Sequence, residues 1–493
     1  MRITNKIMRG NSLYNINLNK ILEDKLNSQM TSQSKISRPS DDPVVAIRAL
    51  RLRTNVSNVT QYYEKNAPDA EQWMKVTGDA LNTIDKVLTD LYTQATDASK
   101  KSLTSDDLEI ILTQMKALTK EFYASGNVDY AGRYVFSGYR TDTPITFTSE
   151  DIKAFTEDPK TFRITESLGY NDISTISYTD WSNYTDENDI TNTTLYRFRL
   201  SYDDICEWNS DSDFSLTVNG VEISYDAGGM VPPQFMSYDN AEDAYQAVKN
   251  GDCIYAYIPS TGEIVFSEDT YNDLPENSRI EVTYSKDSWK EGDINPVHYF
   301  DCWSGDIHYN EGGNVRQDIY YDVGFNQEIQ VNTTANEVFT HNVKRDIDDF
   351  QMYLKQLKDI EAEISKLEAE RDTYPEDSAA YEAAQNKIDA ANKAYTYIRD
   401  NVQTRFENQI TKYQNYQEAN NVAITQNGTR ESRLELISDR LMNQQATFQE
   451  LQTANEGIDT TEIAVELKSA ELTYEAALLA TSKIMQTSLM NYI

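Results

Sequence analysis

From Leu434 almost to the last residue, apolar side chains recur at alternating steps of three and four. The series Leu434, Ile437, Leu441, Gln444, Phe448, Leu451, Asn455, Ile458 pauses at Asp459–Glu462 and resumes as Ile463, Leu467, Ala470, Tyr474, Ala477, Thr481, Ile484. That rhythm draws a seam along an α-helix, and a lone helix cannot hide such a seam from water. The N-terminus offers a partner: Ile7, Tyr14, Leu18, Ile21, Leu22, Leu26 and Met30 recur at spacings of mostly three, four and seven. A chain whose two sticky helices are its own ends is built to assemble.

Helical signals continue inward from both ends. The first helix is expected to end at Ser37–Pro43, because Pro39 forces the residue before it out of the α region. Asp42-Pro43 then reads as an N-cap followed by a proline in the first helical position. The new helix carries Val45, Ala49, Leu52, Val56, Val59 and Tyr63, is interrupted or kinked at Asn66-Ala67-Pro68-Asp69, and resumes through Trp73, Ala80, Ile84, Val87 and Leu91. Thr104 and Asp107 form a capping box for a helix that stops near Gly126. On the C-terminal side, helices return at about Val343, end at Tyr374-Pro375 and begin again near Glu376. Asn427-Gly428 looks like a turn by propensity. Yet Phe406, Tyr413, Asn420, Asn427, Leu434, Leu441 and Phe448 keep an unbroken seven-residue comb across it. The comb favours a continuous helix, in which the glycine costs roughly 1 kcal/mol.

Between these halves the period changes. Arg133-Tyr134-Val135-Phe136 reads as a strand with a turn at Ser137-Gly138, and Ile173–Tyr178, Phe214–Val218, Glu263–Phe266 and Ile280–Tyr284 alternate at period two. Asn219-Gly220, between Val218 and Val221–Tyr225, is a hairpin signal. One helix is expected over Ala241–Lys249. The fold class is therefore α+β: a long antiparallel helical rod or coiled coil built from both termini, with an inserted β-rich domain. Residues 1–42 and 459–493 form the terminal coiled-coil helices. Residues 43–144 and 340–458 form the helical rod domain, with a β-hairpin near 130–147, and 145–339 the insertion. Leu52, Val56, Ile84, Leu91, Leu434, Leu441 and Phe448 are expected in the rod core. The terminal helices, joined to it through a Pro-rich hinge, bury too little to be stable alone, so they are expected to be mobile in the monomer and to order on assembly.

Charge sharpens this division. Residues 1–60 carry ten Lys/Arg against four Asp/Glu, residues 431–493 carry four against ten, and residues 145–340 carry ten against thirty-seven. Opposite signs on the terminal helices favour their lateral pairing, by a few tenths of a kcal/mol for each exposed pair. The formal net charge of −35 argues against nucleic-acid and anionic-membrane partners, which need clustered Lys/Arg. No stretch is long and apolar enough to span a bilayer. Met1–Asn19 is polar and amphipathic, unlike a secretory signal peptide.

Catalytic and metal chemistry find little support. Three cysteines, Cys206, Cys253 and Cys302, leave at least one free or intermolecular, which disfavours a disulfide framework. His298, Cys302 and His308 cluster, but their spacing fits no common structural zinc pattern. No His-Glu-x-x-His or Gly-x-Ser-x-Gly occurs. Gly228-Gly229 and Gly312-Gly313 follow no phosphate-loop spacing and read as turns. Paired carboxylates carry almost no information in so acidic a region. No cofactor and no enzymatic activity are expected.

Lys35-Ile36-Ser37-Arg38-Pro39-Ser40-Asp41-Asp42-Pro43, followed by Ala46, Ala49-Leu50 and Leu52-Arg53, resembles the N-terminal signature of the flagellin-like superfamily of bacterial flagellar subunits. Gly132–Gly138 with Thr141–Pro144 is similar to its hairpin, and Asn336–Phe339 to its re-entry into the helical half. Gly428-Thr429-Arg430 with Arg433-Leu434-Glu435 looks like a motif inside its long C-terminal helix. Arg38-Pro39 and Lys483–Gln486 resemble the hook–filament junction branch rather than flagellin itself. The likeness covers residues 1–145 and 420–493 well, 305–340 loosely and 145–305 hardly at all. This chain departs from it at Gln33-Ser34-Lys35, where a Gly usually precedes the basic residue. It also departs in the length of 341–420, which leaves room for an extra helical hairpin.

The resemblance implies a structural subunit that forms a ring or tubular layer with copies of itself. The terminal helices would lie innermost, between a preceding hook-associated protein and flagellin, and the acidic insertion would be an outer domain. It also implies export to the extracellular flagellum without a cleaved signal, and an export chaperone covering the C-terminal helix. The assembly residues would be Ile7, Tyr14, Leu18, Arg38, Pro39, Asp41, Asp42, Leu467, Tyr474, Ile484 and Leu489. Two alternatives stay open: flagellin, the filament subunit, and a secreted glycan-binding module or enzyme carried by the insertion.

Overall fold

Asp42 caps the helix that Pro43 opens. Its carboxylate accepts hydrogen bonds from the main-chain nitrogens of Val44 and Val45, in a computed structural model that describes residues 5–207, 214–223, 233–313 and 317–486. Before it, helix α1 (Asn5–Ser32) ends sooner than the proline rule implies. Gln33 takes a left-handed conformation, φ 53°, and stops the helix ahead of Pro39. Helix α2 (Pro43–Gln61) passes into a single π turn, Tyr62–Asn66, and then α3 (Ala67–Ala98). The Asn66–Asp69 signal thus marks a local change of winding, not a break. Thr104 and Asp107 make the expected reciprocal capping box at the start of α4 (Ser105–Ala124).

Strand pairing begins at a two-residue hairpin of β1 (Asp129–Tyr130) and β2 (Arg133–Tyr134). Val135 and Phe136 leave the strand and are buried, Phe136 edge-on to Phe339 at 5.4 Å. A helix, α5 (Ser149–Glu157), then leads into β3 (Phe162–Gly169), β4 (Ile173–Asp180), β5 (Thr191–Arg199), β6 (Phe214–Val218), β7 (Val221–Ile223) and β8 (Phe235–Ser237). Helix α6 (Ala241–Asn250) is followed by β9 (Tyr255–Ile258), β10 (Glu263–Phe266), α7 (Glu268–Asp273), β11 (Arg279–Lys286), β12 (Asp301–Ser304) and β13 (Ile307–Tyr309). Asn219 and Gly220 both take positive φ, 52° and 80°, in the turn joining β6 to β7. Ser224 and Tyr225, expected to extend that second strand, lie outside the described residues, as does Gly228-Gly229.

The strands form two sheets, ordered β4-β5-β10-β9-β8 and β13-β12-β3-β11-β6-β7. Every pairing is antiparallel except β8 with β9. One core draws on both: Phe198, Ile264 and Phe266 from the first sheet, with Ile164, Leu216, Val282 and Tyr284 from the second. Along β11 the alternation is plain, with Ile280, Val282 and Tyr284 buried and Arg279 and Glu281 exposed.

A last hairpin, β14 (Tyr320–Gly324) and β15 (Gln327–Gln330), and a short helix α8 (Ala335–Val338) precede the returning helices. These are α9 (Asn342–Arg371), α10 (Ala379–Glu456) and α11 (Thr460–Gln486). Tyr374-Pro375 lies in the loop between α9 and α10, where the sequence placed the break. Helix α10 runs unbroken through Gly428. The later pause falls at Gly457–Asp459, two to three residues earlier than the stripe implied, and Asp459 accepts from the nitrogens of Thr461 and Glu462 to cap α11. Two units result. One comprises Met1–Ala70, Tyr321–Ile329 and Ser432–Ile493; the other comprises Glu71–Tyr320 and Gln330–Glu431.

Candidate assembly surface

In the first unit α1 packs against α11 along a narrow seam. Among the described side chains of α1 only Ile16 and Leu26 are buried, with Ser12, Asn19, Glu23 and Gln29 half-buried between and beside them. From α11 the seam receives Ala470 and Thr481, buried, and Ile463, Leu467, Tyr474 and Ala477, half-buried. Each fully buried aliphatic side chain contributes roughly 1.5–3 kcal/mol, which is modest for a helix of 28 residues. The remaining apolar residues face water. Ile7, Tyr14, Leu18 and Ile21 are 54%, 64%, 46% and 66% exposed, and Val465, Leu472 and Leu479 on α11 are similarly open. Ile7, Tyr14 and Leu18 are therefore largely open to solvent, while Leu467 and Tyr474 are half-buried in the seam. Ile484 lies on α11 but its side chain, like the whole of Leu489, is outside the described residues.

Where the two terminal helices join the rest of the unit, their connecting loops are tied together. Ser34 and Gly457 form an antiparallel bridge, and Lys35 N donates to Glu456 O at 2.8 Å. This joins the end of α1 to the start of α11, so the pair runs antiparallel. Gln29 Nε2 donates to Lys35 O at 2.7 Å, and Lys35 Nζ to Ala454 O at 3.1 Å. The Arg53 guanidinium forks onto the Glu456 carboxylate, with Nε 2.9 Å from Oε1. Lys35 and Arg53 thus bring positive charge to the carbonyl end of α10, where the helix dipole favours it.

Arg38, Pro39 and Asp41 are exposed on the loop between α1 and α2. The Asp41 carboxylate accepts from Arg38 N at 2.8 Å and Ser37 N at 3.0 Å, which holds its pKa below the usual value. Neighbouring aspartates therefore do different jobs: Asp41 closes the loop and Asp42 caps α2. Along α2, Leu52 and Val56 are half-buried, while Val44, Ile47 and Leu50 point to solvent. Leu434 and Leu441 are buried and Phe448 half-buried in the same unit; Ile84 and Leu91 are buried in the other.

The tip of the β14–β15 hairpin grips the π turn. Tyr62 meets Phe325 edge-on at 5.7 Å, Asn66 Nδ2 donates to Asp322 O at 2.7 Å, and Tyr321 donates to Asp69 at 2.6 Å. Arg440 of α10 bonds Gln327 from the other side. Neither this clamp nor the Ser34–Gly457 bridge has a sequence signature, because both rest on main-chain atoms or on ordinary polar residues far apart in the chain.

The residues weighed for metal binding are used otherwise. His298 is buried against the Pro144 carbonyl, Cys302 lies in the core between the sheets, and His308 bonds Asp301 and stacks on Trp303. Cys253 and Cys302 are free thiols. No described helix is long and apolar enough to cross a membrane.

Residues 3–141 match the bacterial flagellin N-terminal helical region, so the chain carries that region. Over much the same length it is similar to Flagellar hook-associated protein 3. Identity is 25% over 143 residues to the Salmonella typhimurium protein and 26% over 144 residues to that of Escherichia coli, in each case 29% of this chain and 45% of the relative. The chain thus spans less than half the length of these curated relatives. Solved structures with some likeness include a flagellar hook-associated protein from Vibrio parahaemolyticus, at 12% identity and TM-score 0.35, covering 85% of this chain and 100% of that one. Another is the flagellar junction protein FlgL from Legionella pneumophila, at 11% identity and TM-score 0.26, covering 78% and 99%.

Proposed function

We propose that this chain is a structural subunit of the bacterial flagellum that joins hook to filament and assembles through its terminal helices. The observation that carries this reading is the α1–α11 pair, held by a narrow seam while each helix leaves an apolar face open to water. Exposed apolar stripes of that extent mark interaction surfaces, and the N-terminal match supplies the context in which copies of such helices pack side by side. In this reading residues 1–42 and 459–493 are inner-tube helices, 43–144 and 340–458 the rod domain, and 145–339 the outer domain. Ile7, Tyr14, Leu18, Leu467, Tyr474, Ile484 and Leu489 make the contacts between copies, and Arg38, Pro39, Asp41 and Asp42 fix the hinge. The terminal helices become rigid as neighbours cover them, and the ordering entropy is offset by the apolar area removed from water.

The partners are a preceding hook-associated protein, flagellin and further copies of this chain. Export to the cell exterior proceeds without a cleaved signal, and an export chaperone holds α11 beforehand as an amphipathic helix laid in a groove. The work is mechanical and not catalytic. A strain lacking the gene should show hooks without filaments while flagellin accumulates in the medium as monomer. Ordinary filaments on that strain's hooks would overturn the reading, and absence of secreted flagellin would favour the filament-subunit alternative.

A further inference from the structure

Asn420 and Asn427 stand seven residues apart on α10, and both are buried, 0% and 3% exposed. Each gives its amide nitrogen to a main-chain carbonyl of α3: Asn420 Nδ2 to Leu81 O at 3.0 Å, and Asn427 Nδ2 to Met74 O at 2.9 Å. The two carbonyls are also seven residues apart, so both bonds report one antiparallel register. Among the described residues neither Oδ1 has a hydrogen-bond partner, which makes the pair costly compared with leucines of similar shape. Gly78, between the two carbonyls, makes room for one of them, since a Cβ there would lie 3.2 Å from Asn427 Nδ2. Gln417 adds a third polar contact in the same register, to Asp85 at 3.1 Å and Thr89 at 3.0 Å.

A comb repeated strictly every seven residues has a weakness. Sliding one helix by one repeat, about 10.5 Å, sets apolar teeth against apolar teeth again. Polar side chains with a single fitting place remove that degeneracy, and a buried Asn in a helical seam fixes register at a cost in stability. A slide of one repeat would set Asn427 opposite Glu71 or Asp85 instead of Gly78. We propose that Asn420 and Asn427, together with Gly78, lock α10 against α3 in a single register. The lock is a property of the pairing itself and holds whatever the chain assembles into.

Spin labels on ketone side chains introduced at Asn82 and Glu418, both exposed, would read the register as a distance in the full chain. The unaltered pair should give one distance. N420L/N427L should add a second, longer distance, since a slide of one repeat carries one label roughly 10 Å along the helix axis past the other, with an unfolding midpoint no lower than before. One unchanged distance in N420L/N427L would overturn the proposal, because the asparagines would then be ordinary packing residues. Should the double variant not fold, N427L alone decides, by the same appearance or absence of a second distance.

Discussion

Leu441 is 1% exposed on α10, so Leu441→Ala should remove about 2–5 kcal/mol of stability by leaving a cavity. Denaturant titration would measure it, and a change under about 0.5 kcal/mol, the size of a surface effect, would place the residue outside any core. Two histidines set a pH limit. Burial holds His298 at a pKa of about 4, against the pull of the Pro144 carbonyl. Burial, then the charges of Lys344 and Arg345, hold His341 at about 3, within a ring of Tyr202, Tyr299 and Phe300. Both are neutral in the folded chain, whereas an unfolded histidine gains its proton near pH 6.5. Below that pH the unfolded state binds more protons, so stability falls as pH drops from about 6.5 toward 4. The buried carboxylates of Asp346 and Asp349, whose pKa values are lowered mainly by Arg199 and Arg197 respectively against burial, are lost only below their usual range. Histidine titration therefore precedes that of these two aspartates. His341→Phe should flatten the slope of stability against pH above 4, and an undiminished slope would clear that residue of the effect.

Gly428 lies mid-helix on α10 with nothing within 4 Å of the place a Cβ would take. Gly428→Ala should therefore stabilise the chain by about 1 kcal/mol, seen as a raised denaturation midpoint; a lowered one would mean the helix does not run through. This helix was legible in the sequence because its seven-residue comb outweighs one local turn signal. The α11 seam was legible for the same reason. That of α1 was not: its buried line passes through Asn19 and Glu23, and its more apolar residues, Ile7, Tyr14 and Ile21, face outward. Periodicity locates an apolar face, but the partner decides which face is covered. Strands β3 and β5 were hidden by buried charges at core positions. Arg197 pairs with Glu263 and with Asp349 of α9, both at 2.5 Å, and Glu166 accepts from Ser201 N at 3.1 Å. Such residues read as surface until their partners are known. Phe214–Val218, which carries no charge, fell where its period placed it, and so did Glu263–Phe266 although Glu263 is buried.

The whole chain combines a β-rich middle with ends that have apolar surface to spare. Its antiparallel β architecture and the helices flanking it follow from the change of period near residues 130 and 340. The bridge at Ser34–Gly457 does not, since main-chain bonds between residues so distant leave no pattern. The function proposed requires α1 and α11 to gain permanent structure from neighbours and not from one another alone. Amide hydrogen exchange on dilute monomer and on assembled protein tests this directly. Rapid exchange across both helices in the monomer, beside slow exchange in α4, α9 and β11, followed by strong protection of α1 and α11 after assembly, is the expected result. Protection of α1 and α11 in the dilute monomer equal to that of α9 would contradict it.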